Sequence, residues 1–460
     1  MFKWIIILLS QLTFINTIPI RGTSLGSLFV LEPFITPSLF YQFLGNKFKV
    51  INDIYSYCDY LGPIETNKRL KNHWSKWVTE DNIRTLSESG LNTIRIPVGD
   101  YMYMPYGPYL KTDNGISCFS DSLEYLDIIL QWIKKYNMRA IIDIHAWKDS
   151  QNGFDNSGQT KNMEYYKIGI NDTLYFRHWD IRNAGWIGDF DIIRKIYTKI
   201  NYDNIIHALN VIELVLIKYK DYDMIWGLSP MNEPWEYTPE EELKKFYKNV
   251  YDKYNLIWGA NKKILIFHDS FRPYLWSSCN FLGGNLDNIY LDTHQYIAWN
   301  EAVHFETLIS SIRNWNYPPT CLKVIVGEFS LATDNCMMLL NGFMDNIQNY
   351  PLHTCFLERC PLYNENNNNL YIKNSKFGPF GTGISSPTED GYCPYTTPIS
   401  LNKLIYSSDV GQQIIISPGG NNDPRNIDKV YVSLLFQEFI RAFESKTNGW
   451  LFWNFTPLHI

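Results

Sequence analysis

The 460-residue chain predicts an α/β protein, a (β/α)8 TIM barrel with loop insertions. Three observations lead there. Short apolar or β-branched runs recur along the chain, most of them continuous rather than alternating, as strands buried on both faces must be. Helical patterns lie between these runs, and repeated strand–helix–strand units with right-handed crossovers build a parallel sheet. Polar and titratable residues stand at the ends of six of the runs, the rim where such barrels keep their working groups.

The N-terminus "MFKWIIILLSQLTFINT" (1–17) carries Lys3, an apolar run from Trp4 to Leu9 and then polar residues. That pattern predicts a cleaved secretory signal peptide, too short to span a bilayer, with an uncleaved anchor or a buried first strand as alternatives. Strand 1 is "TSLGSLFV" (23–30). A helix over 79–90 follows, with Thr79 as N-cap and Gly90 as its stop. Strand 2 is "LNTIRIPV" (91–98). The helix over 120–137 aligns Leu123, Leu126, Ile129, Leu130 and Ile133 on one face. Strand 3 is "RAIIDIHAW" (139–147), followed by a helix over 203–219. Strand 4 is "MIWGLSPM" (224–231), with a helix over 239–258. Strands 5 and 6 are "KILIFHDS" (263–270) and "NIYLDTHQYI" (288–297), the latter followed by a helix over 303–315. After strand 7, "KVIVGEFSL" (323–331), an insertion of about 340–426 contains "YNENNNNLY" and "SPGGNNDPRN" and is expected to be partly disordered. A helix over 427–445 and strand 8, "GWLFWNF" (449–455), complete the series. The chain ends seven residues after Trp453, so no outer helix is expected after strand 8. Residues 18–460 read as one domain without internal repeats.

Composition narrows the function. Residues are 45% hydrophobic and 16% aromatic, enough for a large core. The net charge of −6 argues against nucleic-acid binding, which needs a basic footprint. No later segment reaches transmembrane length, and a secreted monomer without cofactor or metal is expected. Eight cysteines fit an oxidising compartment, and without a C-x-x-C pair they do not suggest zinc. Of two N-x-S/T sequons, Asn171 lies in a polar stretch and suits a glycan. Asn454 sits in an apolar run and does not.

The chemistry concentrates at the strand ends. Arg95 closes strand 2, His145 strand 3, Asn232-Glu233 strand 4, His294-Gln295-Tyr296 strand 6, Glu328 strand 7 and Trp453 strand 8. A lone glutamate at a strand end is commonly a solvated or salt-bridged group. Two of them, Glu233 and Glu328, with Arg95 and two histidines around them, match what glycoside hydrolysis needs: one carboxylic acid to protonate the leaving oxygen and one carboxylate to attack or to activate water. Two other classes compete. "DIH" (143–145) with His294 suggests a metal-dependent barrel hydrolase, but no H-x-H follows strand 1, and Asp143 suits a structural role inside the barrel. A catalytically inactive carbohydrate-binding barrel would have no need of both glutamates with Arg95 behind them.

The stretches "RGTSLGSLFVLEPFITPSLF" (21–40), "RIPVGDY" (95–101), "IDIHAWKDSQNGFDNSG" (142–158), "MNEP" (231–234), "HQY" (294–296), "VGEFSLATDNC" (326–336) and "GWLFWNF" (449–455) resemble glycoside hydrolase family 5, and within it the fungal-type exo-1,3-β-glucanases. The resemblance runs in order along nearly the whole chain. It implies a retaining enzyme that releases glucose from the ends of β-1,3-glucan, with Glu233 as acid/base and Glu328 as nucleophile. It further implies that Arg95 keeps Glu328 ionised, Asn232 meets the sugar 2-hydroxyl, and His145, His294 and Tyr296 line the same subsite. Trp453 would floor that subsite and Glu32 would bind hydroxyls at its closed end. Asn156 would join the substrate-binding set, and Phe154 and Trp299 would clamp the next sugar. A disulfide between Cys336 and Cys393 is also implied. Other β-glucans, glucosylated lipids and transglycosylation stay open as alternatives. The chain departs from the family pattern at Ala146-Trp147-Lys148, where Gly-Ala-Pro is usual, and at "LGSLF", where a second Gly and a Trp are usual.

Overall fold

A computed structural model describes residues 19–36, 39–40, 51–161, 163–168, 173–178, 184–259, 263–300, 303, 305–332, 342–343 and 424–455. The expected signal peptide, Asn171, the Cys336–Cys393 pair and the insertion (apart from 342–343 and 424–426) lie outside these residues. Eight parallel strands close into a barrel: β1 Ile20–Ser24, β2 Thr93–Gly99, β3 Arg139–Ala146, β4 Ile225–Ser229, β5 Ile264–His268, β6 Ile289–Gln295, β7 Lys323–Phe329 and β8 Gly449–Phe452. Each strand pairs with its neighbours in sequence, and β1 closes against β8 with Ile20 beside Gly449 and Thr23 beside Phe452. No Cβ fits at Gly22, 2.2 Å from the Thr93 carbonyl oxygen, so the β1–β2 contact requires glycine there.

The strand sequences follow from two buried faces. On β3, Ile142, Ile144 and Ala146 point outward into the layer shared with the helices. Ile141 points inward and packs with Ile20, Ile264, Ile266, Ile325 and Leu451, an apolar plug filling the barrel. Continuing by twos from Ile141 along the inner face, the next residues are Asp143 and His145. The plug therefore gives way, one pleat higher, to the polar layer.

Helices α1 Ile54–Trp77, α2 Glu80–Glu88, α3 Ser122–Lys135, α4 Tyr202–Tyr219, α5 Glu240–Ile257, α6 Phe305–Asn314 and α7 Pro424–Lys446 surround the strands. Thr79 caps α2 as expected, in a reciprocal capping box with Asn82, and Gly90 takes up a left-handed φ of 88° just beyond its end. Three expectations need correction. The first strand is Ile20–Ser24 rather than 23–30, because Gly26 and left-handed Ser27 (φ 56°) turn the chain inward over the barrel. Helical patterns do not lie between all the strands: among the described residues, a short 3-10 turn, Pro273–Trp276, is the only helical element between β5 and β6. Helix α1 lies outside every expected span. Two antiparallel hairpins separate β3 from α4, Met163–Ile168 with Thr173–His178, and Gly188–Asp191 with Ile196–Ile200. Disulfides join Cys58 to Cys118 and Cys279 to Cys321. Among the described residues no helix is long and apolar enough to cross a membrane. The amide nitrogen of Asn454 is buried, which leaves no room for a glycan.

Candidate active site

The polar layer grows out of strand register. On β3 and β6 the pattern Asp-x-His places two side chains on the inner face: Asp143 with His145, and Asp292 with His294. Glu328 on β7 is the direct cross-strand neighbour of His294, at a point where the β6–β7 register shifts by one residue. The shift is a bulge, which re-aims side chains at a barrel rim.

Arg95, 1% exposed, ties the layer together. Its Nη1 donates to Glu328 Oε1 at 2.5 Å and its Nη2 to Asn232 Oδ1 at 2.7 Å, with Asp143 Oδ2 3.2 Å away. Burial alone would raise the Asp143 carboxyl, but Arg95 and His145 hold it below its ordinary range. Asp143 in turn accepts from His145 Nδ1 at 2.7 Å, which leaves His145 Nε2 to accept from the Asn232 amide at 3.3 Å. The second Asn232 N–H remains for a ligand. Tyr296 donates to Glu328 Oε2 at 2.7 Å. Glu328 is thus buried with a charged donor on Oε1 and a neutral donor on Oε2.

Glu233 is held differently. Its Oε1 meets His294 Nδ1 at 2.7 Å and its Oε2 accepts from Asn156 at 3.1 Å. Burial works to raise Glu233, yet the His294 hydrogen bond and charge bring it below its usual value. For His294, burial works downward, and the carboxylates of Glu328 and Asp292 outweigh it, keeping the imidazole protonated well above its usual value. These opposed directions place the proton shared between the two on His294 Nδ1 rather than on Glu233. The same Nδ1 lies 3.3 Å from Glu328 Oε2, so those Glu233 and Glu328 oxygens are at most about 6 Å apart, short of the roughly 6.5–9.5 Å that separates inverting carboxyls.

The other expected residues fall around this pair. Trp453 stacks on His145 with rings 5.3 Å apart and 3° from parallel. Glu32 is buried with Oε1 unpartnered, and burial together with nearby Asp155, Glu328 and Glu233 pushes its carboxyl well up. Phe154 is half-buried in the loop after β3, and Trp299 is 55% exposed in the loop after β6. Asn156, expected to bind substrate, donates to Glu233 Oε2. Trp147, in the departing Ala-Trp-Lys segment, is fully buried.

Several contributors went unnoticed in the sequence: Asp292, Gln151, His268 and Phe271. The repeated Asp-x-His could have revealed Asp292, whose Oδ2 lies 3.5 Å from His294 Nε2. Phe271, 46% exposed, stands at the rim with its ring 6.4 Å from that of His294. Glu233, His268 and His294 cluster closely enough for a metal. However, His268 Nδ1 accepts from the Ser270 N–H at 2.9 Å, which puts the ring proton on Nε2 and leaves no lone pair to ligate. The donor set does not fit a metal.

A (β/α)8 barrel with two buried carboxylates this close at the C-terminal rim is the architecture of a glycoside hydrolase. The chain belongs to glycosyl hydrolase family 5: the profile of Cellulase (glycosyl hydrolase family 5) matches residues 61–356. It is similar to the glucan 1,3-beta-glucosidase of Blumeria graminis, 31% identical over 345 residues that cover 72% of this chain and 69% of the relative. A protein of the same description from Yarrowia lipolytica is 32% identical over 337 residues, 70% of this chain and 69% of its own. Among solved structures, the rutinosidase from Aspergillus niger shares the fold, with a TM-score of 0.51 and 20% identity over 69% of this chain and 82% of that one.

Proposed function

We propose that residues 18–460 form one catalytic unit that releases glucose from the ends of β-1,3-glucan with retention of configuration. The observation that carries this reading is the shared contact of Glu233 and Glu328 with one imidazole nitrogen, which keeps the two carboxylates within reach of one anomeric centre. Glu328, held by Arg95 and Tyr296, attacks the anomeric carbon. The glycosidic C–O bond breaks, and the leaving oxygen takes the proton of the His294–Glu233 pair through Glu233. Water then attacks the glucosyl ester, gives its proton back to that pair and frees Glu328. The free Asn232 N–H is placed for the 2-hydroxyl, Trp453 floors the ring, and buried Glu32 binds hydroxyls at the closed end, which supports action on chain ends. The names of the relatives support the β-1,3 linkage. The two disulfides and the apolar N-terminal run support action outside the cell.

The test is a screen on laminarin, pustulan, carboxymethyl cellulose and aryl β-glucosides, with the first product read by proton NMR. Glucose alone from laminarin, appearing first as the β-anomer, is expected. Longer oligosaccharides would refute the exo mode, and α-glucose would refute retention.

A further inference from the structure

Glu233 adopts a left-handed backbone, φ 42°, which a glutamate enters only when its surroundings impose it. The residue after it is Pro234, which has no N–H, so no backbone donor at that position can pin the turn. Two buried side chains do so instead. Gln151, from the loop after β3, uses its amide nitrogen twice, donating to the His145 carbonyl at 2.8 Å and the Asn232 carbonyl at 2.9 Å. Its own backbone carbonyl accepts from Trp235 N at 3.1 Å, so Gln151 grips the turn on both sides of Glu233. From the opposite side, Ser270 in the loop after β5 places its hydroxyl 2.9 Å from the Pro234 carbonyl and 3.2 Å from that of Trp235. Arg272 donates to the same Ser270 oxygen at 3.1 Å, which leaves the hydroxyl hydrogen for those carbonyls. Ser270 is itself left-handed, φ 58°, and fully buried.

We infer that Gln151 and Ser270 are positioning residues for the acid/base, which they aim by fixing the strained turn from both flanks; this rests on the reading of Glu233 as the acid/base. Neither side chain is bonded to the Glu233 carboxylate. Their loss should let the Glu233 backbone relax and move its carboxyl off the glycosidic oxygen, while Glu328 and its donors stay in place. The damage should then depend on the leaving group, because a poor one needs the proton and a good one does not.

The experiment measures kcat/KM for laminaribiose and for 2,4-dinitrophenyl β-glucoside in the full chain, with Glu233→Ala as reference. Ser270→Ala and Ser270→Gly should each lose about tenfold on laminaribiose and under about twofold on the dinitrophenyl glucoside. The glycine variant suits φ 58° and guards against misfolding. Gln151→Met, which keeps the bulk and removes both donors, should show the same selectivity. If Glu233→Ala is selective but the Ser270 variants lose equally on both substrates, or on neither, the positioning role is refuted and the acid/base assignment survives. If Glu233→Ala itself loses equally on both, the acid/base assignment falls, and the positioning role with it.

Discussion

Arg95 sits at the junction of everything the site needs, and its chemistry explains why. A planar guanidinium can direct separate N–H groups at Glu328, Asn232 and Asp143 at fixed angles, whereas a lysine offers one compact charge. Arg95→Lys should therefore lose at least about a hundredfold in kcat even on activated aryl glucosides, since it misplaces the nucleophile rather than the acid. Glu328→Gln should abolish turnover on every substrate, read by initial rates on the dinitrophenyl glucoside. Trp299 is half exposed on the β6 loop. On the proposed reading it would hold a second sugar, remote from the broken bond. Trp299→Ala should depress kcat/KM on laminari-oligosaccharides and leave p-nitrophenyl glucoside nearly unchanged. An equal loss on both would make it a packing residue. At this scale the sequence was most informative where several residue types converge, as with two glutamates, Arg95 and two histidines at strand ends. It was least informative for Gln151 and Ser270, whose importance lies in which carbonyl they reach across a loop, a relation that spacing does not encode.

At the scale of elements, α1 shows how a support can hide. Gly62 and Pro63 interrupt it with a left-handed kink (φ 74°), so the apolar periodicity that marks α3 and α5 never builds up. Yet α1 holds the β1 loop that carries Glu32: His73, Trp74 and Trp77 bond the carbonyls of Ser27, Leu28 and Gly26 at 2.8, 3.0 and 3.0 Å. The barrel strands, by contrast, were legible because burial on both faces leaves long apolar runs. Their boundaries drifted where buried loops, such as residues 25–31, are as apolar as a strand. The α1 contact carries a pH signature. Burial lowers His73 to about 4, so the folded chain takes up a proton there only below that value, whereas the unfolded chain does so from about 6.5. The unfolded state binds more protons in that window, and stability falls as pH drops from about 6.5 toward 4, by roughly 2 kcal/mol at pH 5. His73→Gln keeps a donor without the titration. Urea unfolding of wild type and variant at pH 7.5 and 5 should differ in slope with pH by that amount, and parallel curves would show that His73 titrates freely.

For the whole molecule, the barrel must be closed and its loops kept in place where, among the described residues, the ring of helices is incomplete. Closure falls to β1 and β8, reinforced outside by Arg21, whose Nε meets Glu444 of α7 at 2.6 Å while Trp450 donates to the same carboxylate at 3.1 Å. Between β5 and β6, where no full helix covers the barrel, Cys279–Cys321 fastens the covering loop to the segment entering β7. On the other flank, Cys58–Cys118 fastens α1 to the stretch before α3, and so indirectly steadies the β1 loop that α1 holds. The sequence separations are 60 and 42 residues, and cross-links of that length remove chain entropy worth about 4 kcal/mol each from the unfolded state. Neither disulfide touches the paired carboxylates. Reduction should therefore lower unfolding stability by several kcal/mol while the protein that remains folded keeps its turnover per active site. Urea titration with and without reductant, beside active-site titration by a fluoro-glucoside inactivator, separates the two quantities. Lost turnover per titrated site in the reduced, folded protein would mean that the cross-linked loops shape the catalytic rim itself rather than only the stability beneath it.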